Sequence, residues 1–170
     1  MSASPRNTKI VRCACGSVEL EAVGAPIVGI ACYCADCQEG ARQIEALPNA
    51  QPAQGADGGT AYLLYRKDRI RFSKGSALLK DYRIKETSPT KRVVASCCNS
   101  AISLDFEKGH WLSLCRARFS EDVPPLQMRI YTKFRPGGSE LPNDVPSYPT
   151  FPVKFIAKLM GAKIAMLLRR

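Results

Sequence analysis

Seven of the eight cysteines in this sequence fall into three short clusters, and these are the residues that could do metal or thiol chemistry. The clusters are Cys13 and Cys15, then Cys32, Cys34 and Cys37, then Cys97 and Cys98. Thiolates bind zinc in tetrahedral sites, and with a single histidine in the chain any such site must rely on sulfur. The clusters therefore predict zinc binding rather than disulfides, which are rare in a reducing cytoplasm.

The middle cluster predicts a site with an open position. Cys32, Cys34 and Cys37 offer three thiolates within one short segment. Three protein ligands leave the fourth position of a tetrahedral zinc free for substrate, which is the arrangement of a catalytic zinc. A thiol bound there becomes a nucleophile, and a carbonyl bound there is polarised. We therefore predict that these three cysteines are the catalytic residues.

The two outer clusters predict a closed, structural site. Cys13 and Cys15 supply half of a tetrahedral site, and Cys97 and Cys98 are the candidates for the other half. Such a site would tie the first hairpin to a distant strand and contribute to the free energy of folding. Neighbouring strand residues point to opposite faces, so both later cysteines could reach one ion only if the backbone turns there. Asn99 tolerates the left-handed conformation that would help.

Two other interpretations of the clusters remain open. The cysteines could be small buried hydrophobic residues without a metal, or a single four-cysteine ribbon site could take ligands from the first two clusters. The eighth cysteine is different, because Cys115 lies beside Leu112 and Leu114 in an apolar segment. We expect Cys115 to pack in the core.

The elements that must position these clusters are mostly strands. Alternating residues at 8–13 and 17–23 predict a hairpin whose turn contains the first cysteine pair. A short helix is predicted over 35–47, before Pro48. Further strands are predicted at 27–33, 61–65, 69–72, 78–84, 92–96, 101–106, 111–115 and 127–133. Strands separated by turns every 8–12 residues or so are typical of a mainly antiparallel β-fold.

The C-terminal part has a different composition, so we divide the chain into three regions. Residues 8–134 form the predicted folded domain, 135–153 are rich in Pro and Gly and are interpreted as a linker, and 154–170 form a basic C-terminal helix. We expect this helix to dock on the sheet or on a second subunit, and a membrane-surface anchor is the less favoured alternative.

Composition and charge bound the kind of protein. The hydrophobic content of 45% excludes a disordered chain, and no apolar run approaches the roughly 18 residues of a transmembrane helix. Residues 1–6 lack the layout of a signal peptide, so we expect a cytoplasmic protein. The net charge of +10 is concentrated in residues 51–100 and 151–170. These stretches predict a solvated surface, an anionic small substrate or a polyanion.

The order of the cysteine motifs resembles the glutathione-dependent formaldehyde-activating enzyme and centromere protein V family over roughly residues 8–120. The matching segments are Cys13-Ala-Cys15-Gly16, Cys32-Tyr-Cys34-Ala-Asp36-Cys37 and Cys98-Asn-Ser-Ala-Ile102. The resemblance implies a small zinc-stapled antiparallel β-tent fold. It also implies a carbon–sulfur lyase activity in which glutathione and formaldehyde combine to S-hydroxymethylglutathione.

The resemblance also implies up to two zinc ions per chain. Cys32, Cys34 and Cys37 would hold the catalytic ion, and the structural ion would lie on Cys13, Cys15 and Cys98. The family usually reads Phe-Cys-x-x-Cys-Gly at the third cluster, whereas this chain has Ala95 in place of the first cysteine and Asn99 in place of the glycine. Cys97 is the candidate replacement ligand, and the departure indicates a divergent branch.

Two functions from different classes follow. The first is a zinc-dependent enzyme acting on a small thiol/aldehyde adduct, in which the basic stretch 66–92 could hold the carboxylates of a glutathione-like substrate. Asp36 or water would transfer the proton, and His110 is expected to be a surface turn residue. The alternative is a non-catalytic zinc module that binds a polyanion such as nucleic acid, or a protein partner. Its aromatic residues do not interleave with the basic ones as in a stacking platform.

Overall fold

A computed structural model of the protein describes residues 7–120, 123–137 and 140–168. The described residues form ten β-strands and two α-helices, joined by turns and short 3₁₀ segments. The strands are β1 Thr8–Arg12, β2 Glu19–Val23, β3 Val28–Cys32, β4 Thr60–Arg66, β5 Ile70–Lys74, β6 Leu79–Tyr82, β7 Thr90–Ala95, β8 Ser100–Phe106, β9 Trp111–Cys115 and β10 Met128–Ile130. The helices are α1 Ala35–Glu45 and α2 Val153–Leu167. The predicted mainly β fold with a C-terminal helix is confirmed.

The strands form two sheets. The smaller sheet has the order β1-β2-β5, and the larger has the order β10-β3-β4-β9-β8-β7-β6. Every pairing is antiparallel except that of β10 with β3, which is parallel. The parallel pair differs from the antiparallel expectation because β10 is reached through a long connection rather than a hairpin. Tyr131 adopts a left-handed backbone conformation with φ of 57°, which ends β10 earlier than the sequence predicts.

Strand β4 separates two hydrophobic cores. Its side chains alternate, so that Leu63 and Tyr65 face the core beneath the smaller sheet, while Tyr62 and Leu64 face the core beneath the helices. All four residues are buried. A central strand that is apolar on both faces is the feature expected of a sheet covered on both sides.

The two helices cover the second core. Helix α1 begins after Cys34 and buries Cys37, Gly40 and Ile44. Helix α2 follows Pro152 and packs Phe155 and Leu159 into the same core. Cys32, at the end of β3, belongs to the same core, so both helices pack close to this strand end.

The Pro/Gly-rich segment before α2 lies against β10. The backbone N–H of Arg129 donates to the carbonyl of Pro146 at 2.8 Å, and the N–H of Tyr148 donates to the carbonyl of Arg129 at 2.9 Å. The Arg129 side chain forms a salt bridge of 2.7 Å with Asp144. These contacts hold the segment on the edge of the sheet and set the position at which α2 begins.

Candidate metal centres and active-site cavity

The first group of thiols lies where the β1–β2 turn meets the β7–β8 turn. The sulfurs of Cys13, Cys15, Cys97 and Cys98 all lie within 4.8 Å of one another. Cys13 Sγ is 3.5 Å from Cys15 Sγ and 3.7 Å from Cys97 Sγ, and Cys15 Sγ is 3.4 Å from Cys97 Sγ. The sulfurs of Cys97 and Cys98 are 3.9 Å apart.

These distances fit a tetrahedral thiolate site. Zinc–sulfur bonds of about 2.3 Å place the sulfurs of a tetrahedron about 3.8 Å apart. The measured separations of 3.4–3.9 Å are close to that edge. The donor set therefore fits a closed zinc site.

The turn at Cys97 and Cys98 explains how adjacent residues reach one centre. The N–H of Cys98 donates to the carbonyl of Ala95 at 3.3 Å, and Asn99 adopts a left-handed conformation with φ of 52°. The backbone therefore turns between β7 and β8 instead of continuing as a strand. This turn lets Cys97 serve as the ligand that Ala95 cannot supply.

Ser17 lowers the pKa of the exposed thiol in this group. Cys15 Sγ is 3.3 Å from the Ser17 hydroxyl, and hydrogen bonds from Ser17 lower the pKa of Cys15 to about 6. The left-handed backbone of Gly16, with φ of 75°, makes the turn that brings Cys15 back towards Cys13. A thiol that ionises near neutral pH is suited to bind a metal.

The second group of thiols lies at the end of β3 and the beginning of α1. The sulfurs of Cys32, Cys34 and Cys37 lie within 4.8 Å of one another. Cys34 is the N-cap of α1, and its sulfur accepts a hydrogen bond of 3.3 Å from the backbone N–H of Cys37. Thiol groups of Cys32 and Cys37, and backbone N–H groups of the helix, hold the pKa of Cys34 well below its usual range.

Three thiols in this arrangement fit a metal with an open fourth position. The two groups are separate in the structure, which supports two sites rather than one ribbon site shared by the first two clusters. Cys115 belongs to neither group and is buried in the core with Tyr62, as expected from the sequence.

Tyr33, which lies between Cys32 and Cys34, is held in place by buried hydrogen bonds. Tyr33 is completely buried, and its hydroxyl donates to Asp57 at 2.6 Å. Its carbonyl accepts a hydrogen bond of 2.7 Å from the side chain of Gln38 in α1. A β-carbon at Gly59 would lie 2.6 Å from the Tyr33 ring, so only glycine fits there. These contacts hold the backbone between Cys32 and Cys34.

A cavity of about 370 Å³ adjoins the three-cysteine group. Its walls come from β3, β4, β7, β8, β9 and β10, from the start of α1, and from one face of α2. Trp111, Phe106, Tyr131 and Phe155 contribute aromatic surface, and all three cysteines of the group face the cavity. The volume is within the range of small-molecule sites.

Arg92 is the one arginine among the cavity residues. Its side chain is 5% exposed, its Nη2 donates to the backbone carbonyl of Asp36, and its Nη1 has no hydrogen-bond partner among the described residues. No salt bridge joins it to an acidic side chain within the described part of the chain. A buried cation without a carboxylate partner favours an anionic group in the cavity beside it.

Four of the nine other basic residues in the predicted basic stretch form salt bridges with acidic side chains. Lys67 is 2.8 Å from Asp105, and Lys91 is 2.8 Å from Asp81. Two further arginines form salt bridges, Arg66 with Asp68 and Arg83 with Glu107. Of the basic residues in the stretch 66–92, only Arg92 lines the cavity.

The two other residues considered for proton transfer lie in different places. Asp36 is exposed in the first turn of α1 and contributes to the cavity wall. His110 is not the free surface residue that the sequence predicts, because it is half-buried and its Nε2 lies inaccessible to solvent. Its ring packs edge-on against Trp111, with ring centres 5.0 Å apart.

A two-sheet β-fold that gathers seven cysteines into two thiol groups defines a class of small β-proteins with candidate thiolate metal sites. The family model described as glutathione-dependent formaldehyde-activating enzyme matches residues 8–133. The chain therefore belongs to this family. No curated protein matches the sequence. Among solved structures, the chain is similar to a crystal structure of a Rhodobacter sphaeroides protein, at 17% identity and a TM-score of 0.49 over 81% of this chain and 98% of that one.

Sequence reasoning missed the cavity and its cation. Arg92 stands in an otherwise ordinary strand, and the aromatic wall is assembled from segments far apart in sequence. The spacing of Phe155 and Leu159 in α2 was a signal that one helix face is buried. Within the described residues, neither helix is long and apolar enough to cross a membrane.

Proposed function

We propose that this protein is a carbon–sulfur lyase of the glutathione-dependent formaldehyde-activating type, which joins a small thiol to an aldehyde and cleaves the adduct in reverse. In the forward direction the thiol sulfur attacks the carbonyl carbon and forms the C–S bond. The proton lost from sulfur ends on the carbonyl oxygen, which becomes the hydroxyl of the adduct. The reaction needs no oxidant or reductant.

The proposal assigns zinc to both thiol groups. Cys13, Cys15, Cys97 and Cys98 would hold a structural ion, and Cys32, Cys34 and Cys37 would hold a catalytic one. Zinc with an open position supplies acidity to a bound thiol and polarises a carbonyl. The domain over 8–134 would hold both thiol groups, the segment 135–153 would connect it to the basic helix over 154–170, and that helix would add a wall to the cavity.

Cavity residues provide the other requirements of the reaction. Arg92 would bind an anionic part of the substrate, because its guanidinium has hydrogen-bonding capacity to spare and no acidic partner. Asp36, exposed at the edge of the cavity, would take up or return the proton, directly or through water. Trp111 and Phe155 would exclude bulk water from the reacting atoms.

The observation that supports this proposal best is the position of three thiols on the wall of a substrate-sized cavity. The test is turnover of glutathione and formaldehyde by protein purified without chelator, compared with Cys34→Ala. Cys115→Ala is the matched control, because it removes a buried cysteine that belongs to neither group. We expect activity to be lost in Cys34→Ala and kept in Cys115→Ala. Equal activity in Cys34→Ala and the wild type would refute the mechanism.

The alternative of a non-catalytic module that binds nucleic acid is less supported. At least four cations of the 66–92 stretch are already in salt bridges, which leaves fewer of them for phosphate groups. Its test is binding to duplex and single-stranded DNA at two salt concentrations, with and without residues 151–170.

A further inference from the structure

The cavity beside Cys32, Cys34 and Cys37 is much larger than formaldehyde requires. At about 30 Å³ for a water-sized group, its volume of about 370 Å³ has room for roughly ten heavy atoms. Formaldehyde has two. The cavity is also mostly apolar, with Ile30, Leu64, Leu104 and Ile130 beside its aromatic residues. A small polar aldehyde would leave most of this surface without a partner.

One wall of the cavity lies outside the family match. Phe151, Phe155, Ile156 and Leu159 come from α2 and the residue pair before it, whereas the family model ends at residue 133. The Phe151 and Phe155 rings stack in parallel with centres 5.1 Å apart. The shape of the cavity is therefore set in part by residues additional to the matched domain.

We propose that the aldehyde substrate carries an apolar aryl or alkyl group that occupies this cavity, an inference that rests on the proposed function. The apolar group belongs to the aldehyde rather than to the thiol. A glutathione-like thiol carries carboxylate and ammonium groups, and burying them here would cost more than one arginine can return. The thiol therefore lies mostly on the solvent side, with one carboxylate at Arg92, and the neutral aldehyde enters the apolar space.

The reaction remains a balanced addition. The thiol S–H adds across the C=O bond of the aldehyde, the C–S bond forms, and the proton ends on oxygen as the hydroxyl of a hemithioacetal. The substituent on the aldehyde carbon takes no part in the bond changes. It contributes binding free energy through the apolar surface it removes from water.

The activity test compares phenylacetaldehyde with formaldehyde, with glutathione as the thiol in both. We expect the larger aldehyde to have the higher kcat/KM. Ile156→Trp should narrow the cavity and lower the ratio of kcat/KM for phenylacetaldehyde to that for formaldehyde by about tenfold, as steric changes in apolar pockets do. Ile164→Trp is the matched control, since Ile164 is exposed on the same helix and does not line the cavity.

A binding test does not depend on turnover. Trp111 is the only tryptophan in the chain and lies in the cavity wall, so its fluorescence reports an occupant directly. We expect 2-phenylethanol, an unreactive analogue of the aldehyde, to change the emission saturably, and methanol at the same concentration to leave it unchanged. The emission change should be weaker in Ile156→Trp. The emission of the added tryptophan is corrected for with Ile164→Trp, which carries an extra tryptophan outside the cavity.

The outcomes separate this inference from the proposed function. A preference for formaldehyde that Ile156→Trp does not alter would overturn the inference and leave the function standing. No turnover with either aldehyde would overturn the function, and in that case saturable binding of 2-phenylethanol would still support the apolar ligand class. Absence of any Trp111 response to 2-phenylethanol would overturn the inference by itself.

A second inference comes from an exposed face of α2. Four apolar residues recur at intervals of seven, four and three along this face and are 51–85% exposed. They are Val153, Met160, Ile164 and Leu167. This spacing places them in one stripe, roughly 130° around the helix from Phe155 and Leu159. The helix is therefore apolar on two faces, of which the fold covers one.

The charges beside the stripe indicate what covers it. On a helical projection, Lys154 lies to one side of the stripe and Lys163 lies to the other. Residues 151–170 contain five basic residues and no acidic ones. We infer that this face docks on an anionic lipid surface, with the apolar side chains in the interface and the lysines at the headgroups. Two copies of this helix packed together would instead bring like charges close.

The test is co-sedimentation of the full chain with phosphatidylcholine vesicles, with and without phosphatidylglycerol. We expect binding only to the anionic vesicles and weaker binding at high salt. Met160→Ser/Ile164→Ser and Lys154→Glu/Lys163→Glu should each reduce binding at least severalfold. Lys80→Glu/Lys85→Glu is the charge-matched control at exposed positions on another part of the surface. Failure to bind anionic vesicles, or a dimer in solution that Met160→Ser/Ile164→Ser abolishes, would overturn the inference.

Discussion

The Arg92 guanidinium lies directly against the backbone of Gly40, so that a β-carbon at Gly40 would stand 1.9 Å from Arg92 Nε and 2.4 Å from Cζ. Gly40 is in the middle of α1, where glycine costs helix stability relative to alanine. The contact explains the glycine, because it lets the helix approach β7 closely enough for Arg92 to hydrogen-bond the Asp36 carbonyl.

We therefore predict that Gly40→Ala displaces Arg92 and destabilises the protein, although alanine is the better helix former. Overpacking of this kind costs roughly 1–3 kcal/mol of the free energy of unfolding. Gly161→Ala in α2 is the matched control, because nothing lies within 4 Å of a β-carbon there. That substitution should be neutral or stabilise by about 0.5–1 kcal/mol. Urea unfolding measures both, and equal effects at the two glycines would contradict the packing argument.

A second prediction concerns metal content. Protein purified without chelator should contain two zinc ions per chain by elemental analysis. Cys34→Ser should remove one ion and leave the fold intact, because its thiol group lies at the cavity wall. Cys13→Ser should remove the other and lower the melting temperature strongly, because the lost site joins distant parts of the chain.

Cys115→Ala serves as the control for both substitutions. Its thiol is buried in the core, where burial raises the pKa to about 12 and keeps the group neutral. We expect this variant to retain both ions. A chain that retains two ions after either Cys34→Ser or Cys13→Ser would contradict the assignment of that residue.

A third prediction concerns pH and the only histidine. Burial lowers the pKa of His110, and nearby Lys163, Arg66 and Lys67 act in the same direction. The unfolded chain therefore takes up a proton more readily than the folded one near pH 6.5. The contribution of neutral His110 to the free energy of unfolding is therefore present above about pH 6.5, and it is lost as the pH falls below that value.

The measurement is the free energy of unfolding at pH 7.5 and pH 5.5 for wild type and His110→Gln. The wild type should lose more stability on acidification than the variant, since the variant cannot take up this proton. Because wild type and variant contain the same thiol groups, subtracting one pH-dependent loss of stability from the other removes the contribution of those groups. A variant with the same loss as the wild type would show that His110 does not contribute.

A fourth prediction concerns the support of the three-cysteine group. Burial and the Asp57 carboxylate raise the pKa of Tyr33 to about 12, so the phenol stays protonated and donates throughout the neutral range. Tyr33→Phe should cost about 1–2 kcal/mol of the free energy of unfolding through loss of this hydrogen bond. A double-mutant cycle with Asp57→Ala isolates the pair, and additive effects would exclude a direct interaction.

The strands and the thiol groups were predictable because each depends on a local pattern. The turn at Cys15 and Gly16 and the alternation on either side of it define the first hairpin. The possibility that Cys97 joins Cys13 and Cys15 also followed from the sequence, because Asn99 is one of the few residues that adopts a left-handed conformation readily.

The cavity was not predictable, because it depends on contacts between distant segments. Arg92 reads as one more cation in a basic stretch, and its burial follows only from the approach of α1 at Gly40. The parallel pairing of β10 with β3 is likewise set by tertiary structure. No local pattern marks Tyr131 as the left-handed residue that ends β10, since aromatic residues rarely take that conformation.

The four-cysteine group has a consequence for synthesis of the chain. Its thiols at Cys13 and Cys97 are 84 residues apart in sequence. At about 5–20 residues per second, Cys13 is incorporated roughly 4–17 s before Cys97. During that interval Cys13 and Cys15 have no partner thiols with which to close the site. The nascent chain therefore passes through a period in which its first two thiols are open to oxidation or to capture by a metal that the finished site would not select.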